Sequence, residues 1–308
     1  MNLEKLYMSR VSSKLTITGL SHVMGVLAQG VCPRLRRLNL SYNYWGHSAG
    51  NPIAEALSSG YFKCLQELDI SYAEEVESGW FNPVAEALGG GACPDLRKLF
   101  LYSCSLIATD GLALGTLLRS GACPRMEALA LSYNRSLGNE GIAAIAAGLD
   151  RKRCPDLLRL EMAHIEVTST GGEAMARTIS KGCLGRLQWL DIGQFCSDLV
   201  TSQRVVRGLH HLRSLRKLDL TDTTTDIWQA LYEVLRSRAC IKLEVLLVAE
   251  CPRLGDDGVV QLARALEVGG CPELRELSLC NVSMGEKGAI ALSQAILLGG
   301  LRQPKGPE

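Results

Sequence analysis

The sequence has few aromatic residues, almost no net charge and no long apolar run. Phe, Trp and Tyr make up 5% of the 308 residues, so a core built from this chain must be aliphatic. The formal net charge is +1, from 33 Lys and Arg against 32 Asp and Glu. A dedicated binder of nucleic acid or anionic membranes needs a large basic excess, and a bilayer-spanning helix needs roughly 18–20 apolar residues. Nucleic acid and membrane are therefore not expected partners.

Recognised catalytic and cofactor-binding motifs are also absent from the sequence. It contains no P-loop, no H-E-x-x-H, no G-x-S-x-G and no dinucleotide-binding fingerprint. No C-x-x-C occurs, so zinc ligation is poorly supported. His164 is expected to face the concave side of the fold, but a single His without a partner nucleophile forms no active site. The sequence predicts a non-enzymatic protein without a cofactor or a metal.

The dominant feature of the sequence is an internal repeat. The pattern L-x-x-L-x-L, with Met, Ile or Val sometimes replacing one Leu, recurs at intervals of 28 to 32 residues. In six units a Cys stands three residues before the first Leu, and Pro follows that Cys in five of them. The units begin at Leu3, Leu35, Leu65, Leu96, Met126, Leu157, Leu187, Leu215, Leu243 and Leu274. Ten units of about 30 residues therefore account for nearly the whole chain.

Each unit is predicted to form one short strand followed by one amphipathic helix. The last two Leu of the pattern alternate with polar residues, as in a strand with one buried face. Asn51 and Asn82, each followed by Pro, are predicted N-caps. Gly-x-x-Gly segments that begin at Gly138, Gly255 and Gly285 are predicted to start other helices. One unit cannot bury its own apolar face, so neighbouring units must stack.

Stacked units would share one parallel sheet and one continuous core. A helix occupies about 10 Å of width, whereas strands lie about 4.8 Å apart, so the stack must curve with the strands inside. We expect a single solenoid over residues 1–300. Residues 301–308 are predicted to be a C-terminal tail or the start of a truncated further repeat.

These features resemble the ribonuclease-inhibitor-like class of leucine-rich repeats. The resemblance rests on L-x-x-L-x-L-x-x-Asn/Cys, followed by G-x-x-G and a helix rich in Ala and Leu. Leu35, Leu38, Leu40 and Asn43 show the strand part in full. The resemblance implies an α/β leucine-rich-repeat solenoid, a horseshoe with a parallel sheet on the concave side and helices on the convex side. It indicates less about function, because this scaffold serves inhibitors, immune receptors, GTPase regulators and ubiquitin-ligase receptors.

The repeat is least regular between about residues 165 and 239. Leu184 and Leu212 stand where regular units have Cys, and the helices predicted around 205–212 and 227–235 lack the Gly-x-x-Gly start. Two explanations stay open: drift in a tolerant repeat, or a change of curvature that suits a partner. Neither terminus has a recognisable polar capping unit, so we expect a longer chain or ends covered by another subunit.

The twelve Cys are explained mainly by their repeat positions. Six precede the Leu pattern, and Cys104 and Cys251 occupy the position where other units have Asn. A small, buried, weakly hydrogen-bonding residue suits both positions. We therefore expect most of the twelve to be buried free thiols, and the protein to reside in a reducing compartment, the cytoplasm.

A protein partner is expected on the concave face. The variable residues of the strand pattern should point there, because the Leu residues point the other way. Four Tyr stand just past four neighbouring strands, and protein interfaces favour exposed aromatic residues and Arg. The alternative is that Tyr is merely tolerated beside the Asn of the repeat. The candidate binding residues are Tyr42, Tyr72, Lys98, Phe100, Tyr102, Tyr133, Arg159, Glu161, His164, Trp189, Asp191 and Asp219.

Two parts of this set carry more specific expectations. Trp189 is the best single anchor for a partner, because Trp is enriched among energetically dominant interface residues. Asp191 and Asp219, together with Asp222 and Glu250, form a modest acidic stretch towards the C-terminus that could meet a basic partner surface.

The leading functional hypothesis is a non-enzymatic, cytosolic scaffold that binds a protein through its concave sheet. A GTPase-activating protein of the Ran type has this fold, but that family has a strongly acidic C-terminal tail, unlike residues 303–308. A ubiquitin-ligase substrate receptor is suggested by Cys-Pro-x-Leu-x-x-Leu, which resembles the F-box leucine-rich-repeat proteins, although no F-box precedes the first repeat. The sensor portion of a NOD-like receptor and a structural subunit of a large assembly also stay open.

The repeat register makes one prediction about stability. Leu129 is the central Leu of its unit, so Leu129→Asp should place an unpaired charge in the core. Such a burial costs several kcal/mol, and a large fall of the melting temperature in a thermal scan is expected. An unchanged melting temperature would contradict the register assigned to this unit.

Overall fold

Parallel strands build the inner layer of the structure. The computed structural model describes residues 1–11, 17–45, 49–74, 76–150 and 152–300, so the tail predicted at 301–308 lies outside the described residues. In those ranges ten strands form one parallel sheet in chain order, and β3 and β5 pair separately. The strands are β1 (Lys5–Tyr7), β2 (Arg37–Asn39), β3 (Asn43–Tyr44), β4 (Glu67–Asp69), β5 (Ala73–Glu74), β6 (Lys98–Phe100), β7 (Ala128–Ala130), β8 (Arg159–Glu161), β9 (Trp189–Asp191), β10 (Lys217–Asp219), β11 (Val245–Leu247) and β12 (Glu276–Ser278).

Helices form the outer layer, each packed against the next along the described chain. Because helices are wider than the strand spacing, the sheet lies on the concave side of the stack. The helices are α1 (Ile17–Leu27), α2 (Gly50–Ser58), α3 (Asn82–Gly89), α4 (Ala108–Ser120), α5 (Gly138–Gly148), α6 (Ser169–Ser180), α7 (Leu199–Gly208), α8 (Trp228–Arg236), α9 (Gly255–Glu267) and α10 (Glu286–Gly300). The predicted leucine-rich-repeat solenoid is confirmed.

The strands pair in the register that the repeat predicts. The central Leu of each unit lies beside the central Leu of the next, as Leu129 does between Leu99 and Leu160. All three side chains are fully buried between the sheet and the helices. The core is therefore one continuous stack of aliphatic layers, and Leu129 lies in its middle.

Helices α4 and α5 approach each other closely, since small residues face each other between them. A Cβ added to Gly111 would lie 2.4 Å from the Cα of Gly141. A Cβ added to Gly115 would lie 2.4 Å from the carbonyl oxygen of Ala144. Substitution of either glycine would push the two helices apart.

The predicted Asn N-caps are wrong. Helix α2 begins at Gly50, so Asn51 lies inside it, and Asn82 is the first residue of α3 rather than its cap. The carboxylate of Asp110, from the next unit, accepts a hydrogen bond from the Phe81 backbone N–H at 3.1 Å. It also accepts one from the Ile107 N–H at 2.9 Å, at the start of α4. One buried Asp thus binds N–H groups at the starts of two helices, which single-unit reasoning could not find.

The irregular units keep the same architecture with different helix starts. Helix α7 begins at Leu199, earlier than predicted, and continues as a 3-10 turn over Leu209–His211. Asp198 caps α7 by accepting a hydrogen bond from the Thr201 N–H at 2.8 Å, so no Gly-x-x-Gly is needed there. Gly138 and Gly255, by contrast, begin α5 and α9 as predicted, with positive φ.

Buried Asn side chains connect neighbouring units just past the strands. The Asn134 amide donates to the carbonyl oxygens of Leu101 and Leu131, both at 2.7 Å. Its side-chain oxygen accepts from the N–H groups of Cys104 at 2.9 Å and Leu106 at 3.1 Å. Asn43 has an equivalent role in an earlier unit. A single side chain therefore satisfies backbone groups of two units that water cannot reach.

Cys replaces Asn at this position by donating through its thiol. The Sγ of Cys104 lies 3.2 Å from the Ile70 carbonyl oxygen, and that of Cys251 lies 3.3 Å from the Leu220 carbonyl oxygen. Burial raises the pKa of the Cys104 thiol to about 12, which keeps it protonated as a donor. All twelve Cys are free in the structure, and eight of them are buried.

None of the described helices is both long enough and apolar enough to cross a membrane.

The Asn134 contacts generate a stability prediction. Asn134→Ala removes four hydrogen bonds and leaves buried N–H and C=O groups unsatisfied, at about 1–3 kcal/mol for each such group. We expect destabilisation of about 3 kcal/mol or more, measured as a fall of the melting temperature. Asn134→Cys should recover part of the loss, because Cys is accommodated at this position in other units. Asn51→Ala, at an exposed site on α2, is the control, and an equal effect there would contradict the role of Asn134.

Candidate functional site

The twelve predicted binding residues lie on the concave face and along the turns that border it. Positions are numbered here from the buried central Leu of each strand. Lys98, Arg159 and Trp189 are at position −1, and Phe100, Glu161, Asp191 and Asp219 are at +1. Tyr102 is at +3, and the remaining four, Tyr42, Tyr72, Tyr133 and His164, are at +4. The structure therefore divides the predicted set into positions with different geometry.

Position +4 has a left-handed backbone in each of the ten units whose strands form the large sheet. Its residues have φ between 47° and 67°. In eight of these units the backbone N–H of position +4 donates to the +3 carbonyl of the next unit, as from Tyr133 to Ala163 at 2.8 Å. We call these residues the turn row: Arg10, Tyr42, Tyr72, Ser103, Tyr133, His164, Gln194, Asp222, Glu250 and Asn281. This conformation is uncommon for residues with a side chain, and the hydrogen bond to the next unit holds it.

Aromatic rings in adjacent units of the turn row stack on each other. The rings of Tyr42 and Tyr72 are 4.0 Å apart between centroids, and those of Tyr133 and His164 are 4.5 Å apart. The Arg10 guanidinium lies 4.4 Å from the centroid of the Tyr42 ring. Tyr42 and Tyr133 are 39% and 53% exposed, so a partner could contact them without rearrangement of the protein.

Tyr102 is not equivalent to the other three Tyr, although the sequence analysis grouped them. It stands at +3 and points across the concave face, whereas Ser103 occupies +4 in its unit. The Tyr102 hydroxyl donates to the Glu161 carboxylate at 2.5 Å, two strands away. The intervening strand β7 carries Ala128 and Ala130, which are too small to obstruct this contact. The order of the dipeptide, Tyr-Ser instead of Ser-Tyr, was the signal that could have separated Tyr102.

Glu161 and Arg159 complete a polar cluster at the centre of the face. Arg159 forms an ion pair with Glu161 and donates to the Tyr102 hydroxyl at 3.1 Å. Glu161 is only 5% exposed, and its charge is neutralised within the protein. Burial and the Glu161 carboxylate raise the pKa of Tyr102, so this hydroxyl remains a donor. The predicted residue Glu161 therefore has a structural partner already.

Trp189 lies between two cations. Its neighbours in register at position −1 are Arg159 and Lys217. The Arg159 guanidinium lies 3.6 Å from the centroid of the Trp189 ring, and the Lys217 ammonium lies 4.1 Å from it. These residues flank Trp189 on adjacent strands, so intramolecular cation–π contacts restrict access to its ring. Lys217 stands at the same repeat position 28 residues after Trp189, but it was not among the candidate binding residues.

Acidic and amide side chains at +1 bind the backbone of their own turn. The Asp191 carboxylate accepts from the Gly193 N–H at 3.2 Å, and Asp219 accepts from the Thr221 N–H at 3.0 Å. Asn39 and Asp69 make the same contact with the N–H two residues on. This contact is one reason for Asp and Asn at +1. It uses one oxygen of each carboxylate, and the other oxygen of Asp191 and of Asp219 has no hydrogen-bond donor in the described part of the chain.

Negative charge accumulates in the C-terminal half of the face. Asp191 and Asp219 are neighbours in register on β9 and β10. Burial, together with the charges of Asp219 and Glu161, raises the pKa of Asp191 to about 7. The buried His164 ring points its Nε2 towards the Asp222 carboxylate at 3.6 Å. No group of three or more His, Cys, Asp or Glu in the described part of the chain is arranged to hold a metal ion.

The N-terminal half of the face has a different arrangement of charge. Its cations are Lys5, Arg37 and Lys98, and Arg10 lies in the adjoining turn row. Glu67 lies between two of them, 3.9 Å from Arg37 and 3.5 Å from Lys98. Glu67 is thus close to two cations, whereas Asp69, Asp191 and Asp219 form no ion pair among the described residues.

Comparison with known proteins agrees with the repeat architecture. Residues 122–146 match the family model described as a leucine-rich repeat. None of the curated protein sequences matches the chain at a significant level.

Two solved structures show similarity at low sequence identity. The plant peptide hormone receptor RGFR1, in complex with RGF2, is 16% identical with a TM-score of 0.47, over 86% of this chain and 43% of the receptor chain. An internalin (inlF) from Listeria monocytogenes strain 4b F2365 is 15% identical with a TM-score of 0.33, over 95% of this chain and 85% of that one. The chain thus spans less than half the length of the receptor. The leucine-rich-repeat assignment rests on the ten-stranded sheet and the repeat itself.

The raised pKa of Asp191 predicts how stability depends on pH. The folded state binds the Asp191 proton more tightly than the unfolded state does, so the resulting stability is present at low pH and lost as pH rises through about 7. Asn does not ionise, so the Asp191→Asn variant does not lose this stability as the pH rises. We expect the melting temperature of the variant to rise relative to wild type between pH 4 and pH 8, with no further gain at higher pH. Asp226→Asn, at an exposed site, is the control for loss of a surface carboxylate and should not reproduce this rise. A pH-independent effect of Asp191→Asn would contradict the raised pKa.

Proposed function

We propose that the protein is a non-enzymatic scaffold that binds a protein partner on its concave face. One observation carries this proposal: the aromatic rings on and beside this face are fixed before any partner binds. Tyr42 and Tyr133 are supported by stacked neighbours, and Trp189 is supported by two cations. Rings that are already ordered lose little conformational entropy on binding, which favours affinity.

Within this proposal the predicted residues have two kinds of role. Tyr42 and Tyr133, which are exposed, and Lys98, Phe100, Asp191 and Asp219, which are half-buried, are proposed to contact the partner. The second group is proposed to shape the face: Tyr72 and His164 support stacked rings, while Tyr102, Arg159, Glu161 and Trp189 form the central cluster or border it. These roles follow from the contacts that each side chain already makes in the protein.

We further assign the chain to the ribonuclease-inhibitor-like class, as one solenoid over residues 1–300. A period of about 30 residues with an α-helix in each described unit supports this class. A reducing, cytoplasmic location is supported by twelve free Cys, eight of them buried in repeat positions.

The proposal is tested by removal of the exposed rings of the turn row. Partners are first captured from a lysate of the source cells on immobilised wild-type protein, identified by mass spectrometry and then purified. The combined Tyr42→Ala and Tyr133→Ala variant should weaken binding of the main partner by about 30-fold or more, since interface hot spots contribute roughly 2 kcal/mol or more. Its melting temperature should change little, because neither ring belongs to the core.

A matched control removes exposed apolar side chains from the helical side. Tyr61 follows α2 and Leu112 lies on α4, and they are 50% and 47% exposed. The combined Tyr61→Ala and Leu112→Ala variant should bind the partner as wild type does. Loss of binding in this variant, with retention in the Tyr42 and Tyr133 variant, would overturn the concave-face proposal.

A further inference from the structure

Three carboxylates on and beside the C-terminal half of the concave face lack a cation. Asp191 and Asp219 are paired in register on adjacent strands, about 4.8 Å apart along the sheet, and Asp222 lies in the turn that follows β10. We call these three residues the carboxylate cluster. In the described ranges none of the three carboxylates forms an ion pair with a Lys or Arg. The one basic side chain near Asp222 is His164, whose Nε2 lies 3.6 Å from the carboxylate.

The nearest cations are engaged elsewhere. The Arg159 guanidinium is paired with Glu161, and its plane lies against Trp189. The Lys217 ammonium lies 4.1 Å from the centroid of the same ring and forms no ion pair with Asp191 or Asp219. Trp189 thus holds on its own faces the two cations that could otherwise neutralise the cluster. The carboxylates remain available to a cation from outside the protein.

The side chain of His164 provides a second, independent observation. It is 9% exposed, its buried Nδ1 has no hydrogen-bond partner, and its Nε2 points at Asp222 from 3.6 Å, beyond hydrogen-bond distance. A buried polar ring without a hydrogen bond is costly. Its Nε2 faces the cluster without a hydrogen bond, so a donor bound among the carboxylates would supply one.

Tyr133 lies beside the same cluster. Burial raises the pKa of Tyr133, and the charges of Asp191, Asp222 and Asp219 raise it further. The three carboxylates therefore act together on one exposed phenol ring. An aromatic ring next to several carboxylates is a suitable surrounding for an organic cation, because both attract positive charge.

Uncompensated charge at this place is unfavourable for the isolated protein. Burial is the largest cause that raises the pKa of Asp191 to about 7; the charges of Asp219 on β10 and Glu161 on β8 raise it further, while Lys217 acts in the opposite direction. Groups held in an unfavourable ionisation state are typical of functional sites. A bound cation would stabilise the ionised form of the cluster. The isolated protein does not provide this stabilisation.

We propose that the carboxylate cluster binds an arginine side chain of the protein partner. A guanidinium has five N–H donors in a rigid plane and can serve several carboxylate oxygens together, whereas an ammonium is a compact point charge. The inference rests on the proposed function, since the arginine belongs to the protein that the concave face binds. The cations Lys5, Arg37 and Lys98 at the other end of the face disfavour basic residues there, so the arginine is directed to one half.

Binding of arginine is coupled to release of a proton. At pH 6.5 part of the Asp191 population carries a proton on its carboxyl group. An arriving guanidinium favours the carboxylate form, so the Asp191 proton passes to the buffer while the guanidinium keeps all of its own. This release distinguishes binding at the cluster from attraction to a fully ionised surface patch.

The test uses peptides with a single charge as probes. Acetyl-Gly-Gly-Arg-Gly-Gly-amide is titrated into the isotope-labelled full chain and followed by NMR. The same peptide with citrulline, an uncharged analogue of arginine, and with lysine serve as comparisons. We expect the arginine peptide to shift the amide signals of Asp191, Asp219 and Asp222, with a Kd at least tenfold lower than that of the citrulline peptide and severalfold lower than that of the lysine peptide. Calorimetry at pH 6.5 in buffers of different ionisation enthalpy should detect proton release.

Two variants with the same charge change localise the effect. In the combined Asp191→Asn and Asp219→Asn variant the Kd of the arginine peptide should rise at least tenfold, and proton release on binding should be abolished. The combined Glu55→Gln and Glu86→Gln variant removes two exposed charges from α2 and α3 and should bind like wild type. Equal affinity for citrulline or lysine, unchanged binding in the Asp variant, or an equal loss in the Glu variant would overturn the inference.

Failure of this inference is distinguishable from failure of the proposed function. If the purified partner binds the Asp191 and Asp219 variant normally but loses affinity for the Tyr42 and Tyr133 variant, the arginine site is wrong and the concave-face scaffold stands. If the partner is insensitive to both variants while the arginine peptide binds as expected, the concave-face proposal fails and the cluster remains a cation site.

Discussion

The structure depends on one constraint: a unit of about 30 residues cannot satisfy its own backbone where the strand ends. Asn134 shows the solution, because its amide and oxygen bind backbone groups of its own unit and of the preceding one. The Cys104 thiol contributes at the same position in its unit. Neighbouring units are therefore held at a fixed offset. Because buried polar groups without partners are costly, a shift of even one residue would be unfavourable at each interface that such an Asn or Cys bridges.

This fixed register determines the chemistry of the concave face. Residues at equal repeat positions become neighbours at the strand spacing, whatever their distance along the chain. Side chains that attract each other then form the stacks Tyr42–Tyr72 and Tyr133–His164, as well as the cations beside Trp189. Where the repeat places Asp191 next to Asp219, the same geometry produces repulsion. Attractive and repulsive pairs thus arise for the same reason, since residues at equal repeat positions lie side by side on adjacent strands.

Attraction and repulsion have different consequences for a binding surface. The central cluster around Arg159 and Glu161 satisfies itself and stiffens the middle of the face. The Asp191 and Asp219 pair reduces the stability of the isolated protein at neutral pH, a loss that a bound cation would offset. A trade of stability for binding is common at functional sites.

The sequence by itself determined the period, the buried Leu positions, the strand register and the parallel order of the large sheet, because these follow from where apolar residues recur. It also placed the twelve candidate residues on or beside one face. Only the tertiary structure separated Tyr102 from the other Tyr and showed that cations flank Trp189. It also showed that Asp110 of the next unit, and not Asn82, binds the backbone at the start of α3. These features depend on side chains that meet across units, roughly 30 or 60 residues apart in sequence. A repeat pattern fixes which positions are neighbours, but the contacts depend on the size and charge of the side chains that fill them.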